Sequence, residues 1–213
     1  MHNFRLPDKL LSVKTKLHIG LVGTLASGKG VVADYLIKNY GFVSFSLSFI
    51  VHDQLKQRGI NTFTRKTLQD IGDELRAKEG DGALAKRALE ILNKEGSTRV
   101  IIEGIRNPGE VKHLRTLEHF VLISVDATRA VRFKRIVERG KPWDPKDWDS
   151  FLVVDERDHE DEKNTNGQQV RKCMNMADYF IENNKDLDHL YERIREVIAE
   201  ISKKDALFKE ALG

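Results

Sequence analysis

The sequence predicts an α/β fold: a three-layer αβα arrangement around a parallel five-stranded sheet, with a helical insertion before the last strand. Three observations predict it. Short apolar runs alternate with helical patterns along the chain. A glycine-rich turn ending in lysine joins the first run to the first helix. Regular patterning lapses between Gly140 and Gln169, then resumes with one more strand and a long helix.

Element by element, Leu17–Val22 is an apolar run that reads as a buried strand. Gly28–Tyr40 reads as a helix, and Phe42–Ser46 as a short second strand. Ser48–Arg58 reads as a helix with Ser48 as a candidate N-cap. Thr64–Glu79 carries Leu68, Ile71 and Leu75 at helical spacing and stops before Gly80. Asp81 is a candidate cap for Ala83–Lys94, which places Leu84, Ala88, Leu89 and Leu92 on one side. Arg99–Glu103 is the third strand, Gly109–Leu117 a short helix and Phe120–Val125 the fourth strand. Thr128–Arg139 is a basic helix and Tyr179–Glu182 the fifth strand. The last helix starts at Leu187 and runs to Ala199 or beyond. Its stripe of Leu187, Leu190, Tyr191, Ile194, Val197, Ile198 and Ile201 suits a helix covering one sheet face.

The turn after the first strand carries chemistry. Gly23, Gly28 and Lys29 fit G-x-x-x-x-G-K, the phosphate-cradling loop of nucleoside triphosphatases, in the strand–loop–helix setting that the motif requires. The contacts expected for a nucleotide are Gly23, Thr24, Leu25, Ala26, Ser27, Gly28, Lys29, Gly30 and Val31. Backbone N–H groups there turn toward one point, and the helix dipole adds positive potential. Lys29 is expected to reach the β- and γ-phosphates. Gly30 stands where the motif has Ser or Thr, whose hydroxyl helps hold magnesium; the sequence leaves the metal ligands unknown.

In a parallel sheet, ligands bind beyond the carboxyl ends of the strands. The cradle, the turn after strand two (Ser46, Ser48) and the turn after strand three (Glu103, Arg106) therefore converge on one cleft. Between Gly140 and Gln169 the chain is punctuated by Pro142 and Pro145, and residues 155–163 are almost entirely charged. This reads as a solvated loop or a moving cover; the flanking arginines favour a cover. Arg132, Arg135 and Arg139 share a helix face, and Arg157 and Arg171 lie within and just after the segment. A ring of guanidinium groups suits charge that shifts between phosphates. The alternative for each arginine is a solvated partner of a nearby acid.

Composition sets outer bounds. The chain has 213 residues, 40% hydrophobic and 32% charged, enough for one domain spanning 1–213. A net charge of +3, evenly mixed, makes nucleic acid an unexpected partner. Cys173 is the single cysteine, so no internal disulfide forms and a cytoplasmic location is expected. Cys173 itself reads as a packed residue. No apolar run approaches a membrane span, and residues 1–16 read as a loose lead-in without a secretory core.

Four stretches carry a resemblance: Gly-Thr-Leu-Ala-Ser-Gly-Lys-Gly (23–30), Leu-Gln-Asp-Ile-Gly-Asp-Glu-Leu-Arg (68–76), Glu-Gly-Ile-Arg-Asn-Pro-Gly-Glu-Val (103–111) and Gly-Gln-Gln-Val-Arg-Lys-Cys-Met-Asn-Met-Ala-Asp-Tyr-Phe-Ile-Glu-Asn-Asn (167–184). With them the chain resembles small-molecule kinases with the P-loop NTP hydrolase fold, of the nucleoside monophosphate kinase and dephospho-coenzyme A kinase group. Its likeness is to members described as dephospho-coenzyme A kinase-like or adenylate kinase-related. The resemblance implies ATP and Mg2+ as cofactors, an acceptor-binding helical region over 46–96, a lid over 140–170, and a monomer or homodimer. It implies acceptor contact by Arg106, with Arg76, Ser46, Ser48, His52 and Glu103 as further substrate-side residues. Arg139, Arg157 and Arg171 are the implied catalytic arginines beside Lys29. Glu103 either orients magnesium through water or accepts a hydrogen bond from the loop. Two acceptor signatures of the group differ here: Phe49-Ile50-Val51-His52 replaces an Asp-x-x-Arg pair, and Ser46 and Ser48 replace a carboxylate. His52 is then either a phosphate contact or a surface histidine.

The implied reaction is γ-phosphoryl transfer from ATP to a small phosphorylated acceptor, a (deoxy)nucleoside monophosphate, which needs alignment and charge stabilisation more than a base. The alternatives are transfer to a ribose hydroxyl, as in dephospho-coenzyme A kinases, and a non-kinase ATP-binding regulator or RNA-associated assembly ATPase.

Overall fold

The computed structural model describes residues 16–141, 144–159 and 165–212. Its strands are β1 (Leu17–Gly23), β2 (Val43–Ser46), β3 (Arg99–Glu103), β4 (Phe120–Asp126) and β5 (Tyr179–Glu182). They form one five-stranded sheet in the order β2-β3-β1-β4-β5, and every pairing is parallel. β1 is central and buried along its whole length. That is why it reads as a continuous apolar run: both faces of a parallel sheet are covered.

The helices divide between the two faces. Leu17, Ile19 and Leu21 of β1 pack with α1 (Lys29–Tyr40), α9 (Leu187–Lys204) and α10 (Ala206–Leu212). Val22 turns to the other layer, built from α2 (Ser48–Gln57), α3 (Arg65–Glu79), α4 (Ala83–Glu95), α5 (Pro108–Leu114) and α8 (Val170–Asn175). The α9 stripe is buried at Leu190, Ile194, Val197, Ile198 and Ile201. Each such side chain is worth about 1.5–3 kcal/mol relative to exposure. Cys173 is fully buried, and burial pushes its thiol pKa up. The basic helix is α6 (Arg129–Arg139).

Register aligns the carboxyl ends of the strands. Ser46 pairs with Glu103, Gly23 with Val125, and Asp126 with Glu182. One sheet edge therefore presents Ser46, Glu103, Gly23 and Asp126 beside the glycine-rich turn.

Several local expectations are corrected. Ser48 does not cap α2; Leu47 occupies the N-cap and Ser48 is the first helical residue, its hydroxyl paired with Ser46 Oγ at 2.8 Å. Asp81 does not cap α4; Gly82 does, without a side-chain bond. α5 starts at Pro108, one residue earlier than expected, because Asn107 and Glu110 form a capping box around it. The last helix reaches Lys204, and α10 was not expected.

The segment 140–170 holds a twelve-residue helix, α7 (Trp148–His159), packed through the fully buried Phe151. Phe151 lies 5.5 Å from the Phe133 ring of α6 and 5.5 Å from Trp148. Pro142, residues 160–163 of the charged run and the lead-in over residues 1–15 lie outside the described residues. Among the described residues no helix is long and apolar enough to cross a membrane.

Candidate active site

The loop between β1 and α1 is held from behind. Thr24 Oγ1 donates to Asp126 Oδ1 at 2.5 Å, which ties the loop to the end of β4. Asn183 Nδ2, just past β5, donates to the Ser27 carbonyl at 2.8 Å. Arg135 donates to the same carbonyl at 3.4 Å and to the Asn183 carbonyl at 3.0 Å. Arg132 Nη1 donates to the Leu25 carbonyl at 3.3 Å. These bonds draw loop carbonyls backward.

The start of α1 carries no side-chain cap, so its first-turn amides remain for a ligand. Gly28 adopts φ 103° and Ala26 φ 60°, left-handed conformations that fold the loop into a nest. A Cβ at Gly28 would meet Asn183 Nδ2 at 2.2 Å, and one at Gly23 would meet the Val125 carbonyl oxygen at 1.9 Å. The cradle is therefore built for glycine at both places, and it fits a phosphate chain. Gly30 differs: a Cβ there would meet nothing within 4 Å.

Lys29 Nζ donates to the Gly23 carbonyl at 2.8 Å and to the Thr24 carbonyl at 2.7 Å. Burial, reinforced by the nearby Arg106 guanidinium, pushes its pKa down to about 7, against the opposing pull of Asp158, Glu103 and Asp126. A polyanion in the cradle would restore its charge.

Beside the loop lies a cavity of about 560 Å3, framed by α2, α3, α4 and the turn after β3. Of the residues expected from sequence, Leu25, Ser48, His52, Arg76, Arg106 and Arg139 line it. One wall is apolar and aromatic. Val51, Leu68 and Leu84 stand there with Phe63, whose ring packs edge-on against His52 at 5.3 Å. The lining is also cationic, with Arg106, Arg139 and Lys141.

The arginines are set by carboxylates. Glu110 accepts from Arg76 Nε at 2.9 Å and from the Arg106 backbone N–H at 2.7 Å, fixing the turn that carries Arg106. Arg76 also reaches Asp73 at 3.2 Å, so a fully buried guanidinium braces α3 against α5. The Arg106 side chain approaches Asp158 at 3.8 Å and Gln168 Oε1 at 3.4 Å. Arg139 makes a two-pronged pair with Asp144 at 2.5 and 2.7 Å.

The remaining expected residues lie outside the cavity lining. Glu103 accepts from Ser44 Oγ at 2.5 Å at the end of β3, with Ser46 beside it. Arg157 is 40% exposed and faces Asp70 at 3.5 Å, and Arg171 is exposed on α8. Arg132 is buried against Asp155 of α7, at 2.5 and 2.9 Å. Reasoning from sequence missed Asp126, Asn183, Gln69 and Asp158. Asp126 and Asn183 follow strand ends, and the carboxyl-edge rule applied to β4 and β5 would have found them.

A family model described as an AAA domain matches residues 19–164. The UPF0200 protein PH1008 of Pyrococcus horikoshii is 31% identical over 188 residues, covering 85% of this chain and 95% of its own. The chain belongs to the AAA-domain family and to the UPF0200 proteins.

Solved structures share the fold. The Thermus thermophilus protein TT1252 superposes with a TM-score of 0.57 at 18% identity, covering 87% of this chain and 98% of its own. The dephospho-CoA kinase of Campylobacter jejuni superposes with a TM-score of 0.51 at 18% identity, over 89% and 99%. At such identities the likeness speaks for the architecture alone. This UPF0200 member has the kinase-like P-loop fold.

Proposed function

We propose that the chain is an ATP-dependent phosphotransferase that moves the γ-phosphoryl group to a nucleoside monophosphate. The observation that carries the reading is the cavity beside the glycine loop, whose lining combines the aromatic pair His52 and Phe63 with the cationic Arg106, Arg139 and Lys141. A volume of about 560 Å3 lies within the usual range for small-ligand sites. In this reading the base rests near His52 and Phe63, and the acceptor phosphate faces Arg106, Arg139 and Lys141. Its oxygen displaces ADP from the γ-phosphorus, and Lys29 with the loop amides carries the charge that shifts. The acceptor is already an anion, so no strong base is required.

Among the described residues no group of three or more His, Cys, Asp or Glu side chains is arranged to hold a metal. Glu103 and Asp126, at the strand ends near Lys29, fit the outer sphere of a Mg2+ ion bound chiefly by phosphate oxygens. Mg2+ would neutralise the β- and γ-oxygens. α7 is proposed as the cover that keeps water from competing as acceptor.

The test is a coupled assay of ADP release with ATP, Mg2+ and a panel of ribo- and deoxyribonucleoside monophosphates, alongside dephospho-coenzyme A. Acceptor-dependent turnover with a monophosphate, abolished by Lys29→Ala in a folded protein, is the expected result. ATP hydrolysis alone, or product only with dephospho-coenzyme A, overturns the proposal.

A further inference from the structure

Gln69 and Asp158 form a buried pair where α3 meets α7. Gln69 lines the cavity but is only 6% exposed, next to Leu68 and one turn before Gly72. Asp158, on the last turn of α7, is 1% exposed. Gln69 Nε2 donates to Asp158 Oδ1 at 3.1 Å, while Asp158 Oδ2 approaches the Arg106 guanidinium at 3.8 Å. One carboxylate from α7 thus reaches two polar side chains of the cavity, one from α3 and one from the turn after β3.

A carboxylate only accepts hydrogen bonds, so it decides which way the Gln69 amide lies. The amide nitrogen must face Asp158. The carbonyl Oε1 is then the atom that Gln69 offers to the cavity, as a fixed acceptor beside the apolar wall. A ligand that brings a donor to that point gains a hydrogen bond; one that brings a second acceptor leaves two lone pairs opposed.

We infer that Gln69 is a specificity-determining residue that accepts an N–H from the acceptor's ring, and that Asp158 is the positioning residue that holds its amide in that sense. Asp158 also restrains Arg106, so docking of α7 sets both the ring-reading and the phosphate-reading ends of the cavity. The substrate class is a phosphorylated ring compound with an amino or imino donor. This rests on the phosphotransferase reading above and adds to it the direction of the hydrogen bond.

The experiment compares each nucleoside monophosphate that turns over with a matched analogue whose amino or imino donors are removed: purine riboside monophosphate for AMP and for GMP, N3-methyl-UMP for UMP. Wild-type protein is expected to prefer the donor-bearing member by about tenfold in kcat/KM. Gln69→Met, close in size, is expected to bring that ratio to about one, through acceptor KM more than kcat. Asp158→Ala is expected to reduce the ratio, by raising the KM of the donor-bearing acceptor more than that of its donor-free analogue. Should Asp158→Ala fail to fold, Asp158→Asn serves, because its amide can pair with Gln69 in either sense and so relaxes the ratio. A donor preference unchanged in Gln69→Met overturns the inference and leaves the kinase reading standing, as does an Asp158 variant that loses stability at constant preference. Absence of transfer to any acceptor overturns both.

Discussion

Asp155→Ala is the substitution whose cost follows most directly from the structure. Asp155 is fully buried on α7 and takes both prongs of the Arg132 guanidinium, itself 2% exposed, at 2.5 and 2.9 Å. Removing the carboxylate leaves a cation enclosed by α6, α7 and the glycine loop, with Asp126 Oδ1 still 3.9 Å from the Arg132 Nε. Breaking a buried pair from one side costs about 3–5 kcal/mol. The lower part of that range applies here, because Arg132 keeps the Ala127 carbonyl at 2.9 Å and the Leu25 carbonyl at 3.3 Å. Arg129 also loses Asp155, but it is 41% exposed and retains Glu156, so its share is about 0–1 kcal/mol. A total of about 3–4 kcal/mol lowers Tm by roughly 6–16 °C in a chain of this size. Scanning calorimetry measures the shift, and hydrogen exchange over residues 148–159 shows whether α7 detaches first. Because Arg132 also holds the Leu25 carbonyl, ATP affinity should weaken in the same variant. The apolar double variant Arg132→Met with Asp155→Leu should recover most of the loss. An Asp155→Ala protein melting within 2 °C of its parent, with α7 exchange unchanged, would refute the reasoning.

Two further outcomes are expected. With the Lys29 pKa near 7 in the folded protein and near 10.5 in the unfolded chain, the unfolded state binds the extra proton between those values, so this group's contribution to stability rises with pH across that window. ATP restores the charge, so at pH 8 binding should take up about 0.9 proton; calorimetry in buffers of different ionisation enthalpy measures it, and buffer-independent heats would contradict it. Gly23→Ala should cost about 3 kcal/mol or more, since the new Cβ meets the Val125 carbonyl oxygen at 1.9 Å. Gly30→Ser, with open space at its Cβ, should change stability by no more than about 0.5 kcal/mol. It should also lower the Mg2+ concentration needed for half-maximal turnover, and an unchanged Mg2+ titration would count against a hydroxyl gap at that position.

How far the sequence could be read depended on what each element buries. β1, β3, β4 and α9 bury hydrocarbon, and their patterns put the strands within a residue of their observed ends and fixed the start of α9, which runs on past Ala199 to Lys204. α7 buries Phe151, Asp155 and Asp158 at positions i, i+4 and i+7. The helical period is there, but two of its three inward residues are acids, so no apolar stripe marked the run as a packed helix. The arginines misled for the same reason. Arg132 shares a face with Arg135 and Arg139, yet spacing does not show that its charge is cancelled by Asp155 from a segment 23 residues away. The glycine loop was legible because its chemistry is local and backbone-based. The cavity was only half legible: Ser48 and Arg106 follow from the strand-edge rule and His52 from the resemblance, whereas Gln69 owes its position to a partner on another helix. Helix caps failed where the Ser48 hydroxyl pairs with Ser46 instead, and where Gly82 rather than Asp81 holds the N-cap of α4.

The clamp on the glycine loop has a consequence for synthesis. Asn183 meets Ser27 across 156 residues of chain. At about 5–20 residues per second, the motif leaves the ribosome roughly 8–30 s before its clamp is made. During that interval the nascent polypeptide displays a nucleotide signature with no rigid amide array behind it. In the proposed reading, a fully braced ATP cradle therefore waits until β5 has been translated and paired with β4.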